Sequence, residues 1–411
     1  MVKLTAKFSF MELKKIHISD IGKVVTGKTP RTSIVENYGG DIPFLTPSDD
    51  LSYKSVPKTG KTLTEQGLNE VKNCLLPPHS VCVSCIGTDL GKVVMTSEPT
   101  ITNQQFNSII PNRRFDADFV YYLMTLVGKE LNYLSKTSTA VPIINKSSFS
   151  NYEVEVPDLE TQEKIASILS SLDSKIELNR RINDNLEQQA QALFKSWFVD
   201  FEPFRGGEFV DSELGLIPKG WRVVSLGEVT KQITEKVGNR EDVTVLSPIN
   251  SGELVLSEEY FTKQVFSKDL SKYLIVNPLS FAYNPARINI GSIGLNTFDF
   301  VGCVSPVYVV FECEPNYQYF FDFFKRTAMF KDEVALRAIG GVRQSLGYND
   351  LSLIKIIYPT SDVVVEFNNL YLKMKEVMIK NTDQNEKFIS LRDSLLPKLM
   401  SGELKINEFN C

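Results

Sequence analysis

The chain has 411 residues, 42% hydrophobic and 23% charged, with a net charge of −5 and six cysteines. That length allows two or three domains with ordinary cores. No apolar run approaches the ~20 residues of a membrane helix and no cleavable leader is evident, so a cytoplasmic protein without disulfides is expected. The acidic balance gives no global attraction to nucleic acid; any phosphate contact must come from local clusters of Lys and Arg.

Residues 21–31, IGKVVTGKTPR, match a phosphate-binding loop, with Gly22, Gly27, Lys28 and Thr29 at its spacing. Such a loop needs a backbone free to curl its N–H groups around phosphate and a helix beginning at the Lys-Thr end. Here Val24 and Val25 are β-branched where the loop should curl, Pro30 follows directly, and RTSIVENYGG lacks an apolar helical period. The second-half counterpart, LGEVTKQIT, has no Gly-Lys-Thr. The string therefore reads as strand and turn. Cys74, His79, Cys82 and Cys85 are close enough to raise zinc, but SVCVSC alternates like a strand, which points Cys82 and Cys85 to opposite faces. Buried thiols are expected there. The chain has only His17 and His79, neither beside a Ser or Cys nucleophile, so no catalytic residue is assigned.

Surface binding remains. Loops in the first half mix cations with residues that hydrogen-bond phosphates and base edges: Lys28, Thr29 and Arg31; Thr46 and Ser48; Asn103, Gln104, Gln105 and Asn107; Lys136, Thr137 and Ser138. The second half offers Lys236, Asn239 and Arg240; Asn284, Arg287 and Asn289; Arg343 and Gln344. Taken singly, each is more often a solvated loop residue; their recurrence in two halves is what makes them candidates.

Between and after these stretches lie two long helical patterns. Ile165, Leu169, Leu172, Ile176, Asn179, Asn183, Leu186, Ala190, Leu193 and Trp197 alternate spacings of four and three, keeping one seam toward a partner helix. The register returns as Phe367, Tyr371, Met374, Met378, Asn381, Asn385, Phe388, Arg392, Leu395 and Leu399, displaced throughout by 202 residues (165 to 367). Paired asparagines interrupt both seams at the same place, as expected of residues that fix register or orientation. Upstream, NYEVEVP corresponds to LIKIIYP, ISDIGKVV to VVSLGEVT, and LLPPHSVCVS to LIVNPLSFAY. The chain thus reads as an α+β protein with two pseudo-repeated mixed domains, each followed by a long helix. The expected boundaries are 1–158, a helix over 159–199, a Gly- and Pro-rich linker over 200–218, a second domain over 219–359, a helix over 360–400 and a tail over 401–411.

The central stretch LETQEKIASILSSLDSKIELNRRINDNLEQQAQALFKSWFVDFEPF (159–204) resembles the central region of the DNA-specificity subunit of type I restriction-modification systems. SLRDSLLPKLMSGELKI (390–406) resembles that family's closing region, and GLIPKGWRVVSLGEV (215–229) the entry to its second target-recognition domain. GKTPRTSIVENYGGDIPFLTPSDD and IGTDLGKVVMTSEPTITNQQFN fit its first domain. The resemblance implies a non-catalytic subunit whose two domains each read half of a bipartite site on double-stranded DNA. Its helices would pack as an antiparallel coiled coil and help dock two modification subunits, which bring S-adenosylmethionine chemistry; restriction subunits would bring ATP and Mg chemistry. No cofactor or metal is then expected in this chain. A helix over 162–199 would span roughly 55 Å, enough to serve half-sites about one duplex turn apart. The competing reading is a coiled-coil scaffold that binds two protein partners without reading DNA.

Overall fold

Residues 14–26 build β1 (Lys14–His17), one helical turn (Ile18–Ile21) and β2 (Gly22–Thr26), so the valines of the phosphate-loop string are strand residues, and both are buried. The computed structural model describes residues 11–87, 89–135, 143–261, 266–337 and 345–404. The chain divides into two units: residues 1–182 with 380–411, and residues 183–379. The two long helices are Leu159–Phe198 and Ser361–Met400, and each contributes one part to each unit. Among the described residues, no helix is long and apolar enough to cross a membrane.

The first unit continues with β3 (Tyr38–Leu45), β4 (Thr62–Leu63), β5 (Val81–Ser84), β6 (Val93–Met95), β7 (Ile101–Thr102), β8 (Phe106–Pro111) and β9 (Glu153–Val156). One antiparallel sheet has the order β2-β8-β5-β6; a second has β4-β3-β7, with β3 and β7 parallel; β1 pairs with β9. Helix Ala117–Ser135 packs on β5 and β6. Its Val120 and Met124 share a core with Val81, Ile109, and Ile165 and Leu169 of the first long helix. From the second long helix, Leu396 and Leu399 enter the same core. Burial of each such side chain contributes about 1.5–3 kcal/mol.

The second unit begins, after the helix residues 183–198, with a hairpin of β10 (Phe209–Ser212) and β11 (Gly215–Pro218). This stretch was expected to be a linker. Its two-residue turn is closed by Gly215 at φ 97, and Ser212 Oγ donates to Gly215 O at 2.6 Å. There follow β12 (Arg222–Ser225), β13 (Thr230–Ile233), β14 (Thr244–Pro248), β15 (Leu254–Leu256), β16 (Leu274–Val276), β17 (Phe281–Tyr283), β18 (Ile293–Leu295), β19 (Gly302–Val304), β20 (Val309–Cys313) and β21 (Lys355–Tyr358).

Strand order repeats the first unit. β13-β20-β17-β18 matches β2-β8-β5-β6; β15-β14-β19, with β14 and β19 parallel and β16 added at the edge, matches β4-β3-β7; β12 pairs with β21 as β1 with β9. The displacement is not constant: 208 residues at the single turns (18 to 226), 200 at β5 and β17 (81 to 281) and 202 at the long helices (159 to 361). Local chemistry repeats too. Asp20 accepts the His17 N–H at 2.9 Å, and Glu228 accepts that of Ser225 at 2.7 Å, capping equivalent turns. His79 and Leu279 both take left-handed backbone, at φ 65 and 61. Their N–H groups donate to Thr96 O at 2.7 Å and Asn296 O at 2.8 Å.

Within the first unit, Arg392 lies against Asp173 and Asn385 against Asn179, so numbering rises along one helix as it falls along the other: the helices run antiparallel. Within the second unit, Asn183 meets Met378, and Phe194 meets Phe367, with the same sense. The asparagines behave as a repeated pair. Asn385 Nδ2 donates to Ile176 O at 3.3 Å, and its counterpart Asn183 donates to Met378 O at 3.1 Å. Along the seam, Ile165, Leu169, Ile176, Ala190, Phe367, Tyr371, Asn385 and Leu399 are buried, while Leu172, Asn179, Asn183, Leu186, Leu193, Met374, Met378, Asn381, Phe388 and Leu395 are half-buried. A second stripe one residue on, Ala166, Asp173, Phe194 and Phe198, is buried as well, because each helix also packs on a domain.

Candidate nucleic-acid interface

In the first unit, the loops after β2, after β3 and between β7 and β8 meet at one edge. Gly27 sits so close to the β7–β8 turn that a Cβ there would stand 2.1 Å from Asn103 O, and the next N–H, of Lys28, donates to Thr102 O at 2.9 Å. Thr29 Oγ1 donates to Gln104 Oε1 at 2.7 Å. Asn103 N–H donates to Leu45 O at 3.0 Å, which brings the Thr46 turn alongside. In that turn the Thr46 hydroxyl lies 2.7 Å from that of Ser48, and Asp49 Oδ2 accepts the Thr46 N–H at 2.7 Å. Lys28, Gln104 and Ser48 are exposed.

Two candidates of this half have internal uses. Asn107 is buried: its Oδ1 accepts from Thr26 Oγ1 at 2.6 Å and its Nδ2 donates to Ile144 O at 3.1 Å. Asn103 is also buried, exchanging hydrogen bonds with Gln105 through its Nδ2 at 2.9 Å and its Oδ1 at 3.0 Å. Both shape the edge rather than face outward from it. Arg31 is exposed but bound to Glu70 at 2.7 Å. The Arg31 side chain and backbone N–H hold the Glu70 carboxyl down to about 2. Lys136, Thr137 and Ser138 lie outside the described residues, as do Arg343 and Gln344 of the second half.

In the second unit, Lys236, Asn239 and Arg240 are exposed on the loop between β13 and β14. Val237 N–H donates to Tyr273 O at 2.9 Å, and Arg240 contacts Glu235 at 3.1 Å. An open cleft of ≈ 550 Å³ runs past Asn239, Arg240, Lys268 and Ser271. Asn284, Arg287 and Asn289 occupy the loop between β17 and β18, where Asn284 Oδ1 accepts the Ala286 N–H at 3.0 Å and leaves Arg287 exposed. Beside Asn284 and Arg287 lies Tyr308, whose phenol burial pushes up while Arg287 pulls it down.

Topological equivalence reveals candidates that residue types alone did not. The loop between β17 and β18 has its counterpart between β5 and β6, and the turn at 103–105 has its counterpart at 305–308, where Val307 is exposed. Gly91 and Gly291, both at positive φ (88 and 93), are the sequence signal that aligns the first pair. Cys82 in β5 and Cys85 just past its end fall in separate hydrophobic clusters. Burial pushes the Cys82 thiol up to about 12 and raises that of Cys85.

These features define a class: a duplicated α+β protein whose units carry equivalent polar loop edges and share two long antiparallel helices. Residues 11–188 match the type I restriction modification DNA specificity domain. Across 412 aligned residues the chain is 29% identical to the type I restriction enzyme MjaIX specificity subunit of Methanocaldococcus jannaschii, covering 97% of this chain and 94% of that one. Against the HindI specificity subunit of Haemophilus influenzae it is 37% identical over 174 residues, 41% of this chain and 38% of the relative. A crystal structure of the type I restriction-modification S subunit from M. genitalium shares the fold, with TM-score 0.50 at 15% identity over 97% of this chain and 98% of that one. Residues 11–188 therefore match a type I DNA specificity domain, and over nearly its whole length the chain is similar to a type I restriction enzyme specificity subunit.

Proposed function

We propose that each unit reads one half of a bipartite double-stranded DNA site through its loop edge, and that the long helices dock two modification subunits. The modification subunits would carry S-adenosylmethionine as methyl donor, and restriction subunits that join them would carry ATP and Mg. The observation that carries this reading is the repetition of strand order with a polar, cation-bearing edge at the same end of both units. Two copies of one binding surface suit two half-sites. An acidic chain with a few exposed cations fits recognition assisted by partners better than tight binding alone, because phosphate contacts set most of the affinity.

The test is methylome sequencing of cells with and without this chain, paired with binding by the assembled complex over a range of salt. Loss of one bipartite methylated motif, and affinity for that motif falling steeply with salt, are expected. Equal binding of cognate and random duplexes at every salt concentration would refute the reading.

A further inference from the structure

Arg31 is held more firmly than an exposed side chain requires. Its Nε and Nη2 both donate to Glu70 Oε1, at 3.0 and 2.7 Å, and its backbone N–H donates to Glu70 Oε2 at 3.0 Å. The neighbouring backbone is fixed as well. Arg31 O accepts from Asn37 Nδ2 at 3.2 Å and from the Ile34 N–H at 3.3 Å, and the Tyr38 hydroxyl donates to Pro30 O at 2.9 Å. Yet the Arg31 side chain remains 71% exposed.

A surface pair of this kind adds little stability, since solvent screens it and ordering two side chains costs entropy. What it supplies is orientation. A guanidinium presents two donor edges; Glu70 takes the Nε–Nη2 edge, and among the described residues Nη1 has no hydrogen-bond partner. The remaining Nη1–Nη2 edge is the planar fork that matches O6 and N7 of guanine in the major groove. A phosphate contact fits less well, because the Glu70 carboxylate beside Arg31 cancels the charge that such a contact uses and would repel a duplex backbone. In the neighbouring pair, Gln104 Oε1 is already occupied by Thr29, which fixes the Gln104 amide at the same edge.

We infer that Arg31 reads a guanine in the half-site of the first unit, with Glu70 as its positioning residue. This rests on the function proposed above. The test uses complexes with modification subunits carrying the unaltered chain, Arg31→Ala, Arg31→Lys or Glu70→Gln, selecting from a library of random duplexes, with methylomes in parallel. Arg31→Ala is expected to lose about 5- to 150-fold of the preference for one guanine in one half-site, the equivalent of about 1–3 kcal/mol. The other half-site stays as it was, which reports an intact complex. Arg31→Lys keeps the salt dependence but loses most of that preference, and Glu70→Gln loses part of it with the arginine still present. An unchanged motif with Arg31→Ala overturns the inference. So does a uniform loss of affinity for all sequences with the salt slope reduced by about one, the mark of a phosphate contact. Selection of no motif by the unaltered complex would instead sink the underlying function.

Discussion

Removing the carboxylate of Asp173 tests how the first domain is fastened to its helices. Asp173 Oδ2 accepts the Tyr122 hydroxyl at 2.5 Å and Oδ1 accepts Arg392 Nη1 at 2.7 Å, joining helix Ala117–Ser135 to both long helices within one unit. Asp173 and Tyr122 are buried, whereas the Arg392 side chain keeps 23% exposure and a second carboxylate, Asp393, at 3.0 Å. In Asp173→Ala the Tyr122 hydroxyl loses its acceptor, which costs about 1–3 kcal/mol. Breaking a buried pair costs about 3–5 kcal/mol, but Asp393 and solvent discount the share from Arg392, so about 3 kcal/mol in all is expected. Arg392→Ala should cost a similar amount, and the double variant about 1–2 kcal/mol less than the sum. The assay is hydrogen exchange resolved by segment over residues 117–135, because a chain of two units need not unfold in one step. A loss below about 1 kcal/mol for Asp173→Ala, or additivity within about 0.5 kcal/mol, would refute this account.

Phe367→Ala should destabilise the second unit by about 3–5 kcal/mol, because the ring is fully buried within 5.2 to 5.8 Å of Phe194, Phe198 and Phe323. Both tryptophans, Trp197 and Trp221, lie in that unit and report its urea unfolding; an effect under about 2 kcal/mol would contradict the packing. Thiol alkylation of the native protein near neutral pH should label half-buried Cys74 and spare Cys82 and Cys85, where burial disfavours the thiolate; equal labelling would argue against the strand placement. Burial also raises the phenols of Tyr122, Tyr283, Tyr358 and Tyr371. Raised folded values mean this contribution is complete below the unfolded value near 10 and is lost as pH rises above it, so melting temperature should fall from about pH 10 upward. A flat profile to pH 11 would count against it.

The duplication was legible because it lives in period and spacing. Four-three alternation and the paired asparagines locate both long helices, and proline-stopped strands mark what precedes them. The domain interiors were harder to read. Their strands run two to eight residues, and the displacement between repeats slides from 208 to 200 to 202, so a single offset aligns only part of them. The hairpin of residues 209–218 is hidden by glycine and charge in a stretch that reads as a linker, and only its pairing shows it to be structured. At the interface, residue type located the edge but not the role of each side chain: nothing in the string NQQFN distinguishes exposed Gln104 from buried Asn107. Glu70 gave no signal, since its partnership with Arg31 crosses 39 residues. Buried Lys325 is only partly legible: Asp322 pairs with it three residues away at 2.7 Å, but its other partners, Gly252 O at 2.6 Å and Ile293 O at 3.0 Å, are far away in sequence.

Where the first domain ends has a consequence for exchanging it. A boundary before the helix, near residue 158, treats the helix as a spacer to which a domain is appended. The first core instead includes Ile165, Ala166 and Leu169 from one long helix and Leu396 and Leu399 from the other. Gln162 Oε1 accepts the Asp116 N–H at 3.1 Å, and Arg180 stands over the Tyr53 ring at 4.4 Å. A chimera that replaces 1–157 alone with the equivalent domain of a relative keeps these helix faces against foreign partners. Each mismatch of a buried side chain costs about 1–3 kcal/mol, so three or four would consume most of a domain's 5–15 kcal/mol. Replacing 1–182 together with 380–404 carries both faces with the domain and should retain near-parental exchange protection in the grafted strands. If the shorter graft were as protected as the longer one, the helices would be spacers after all, and the unit would close without them.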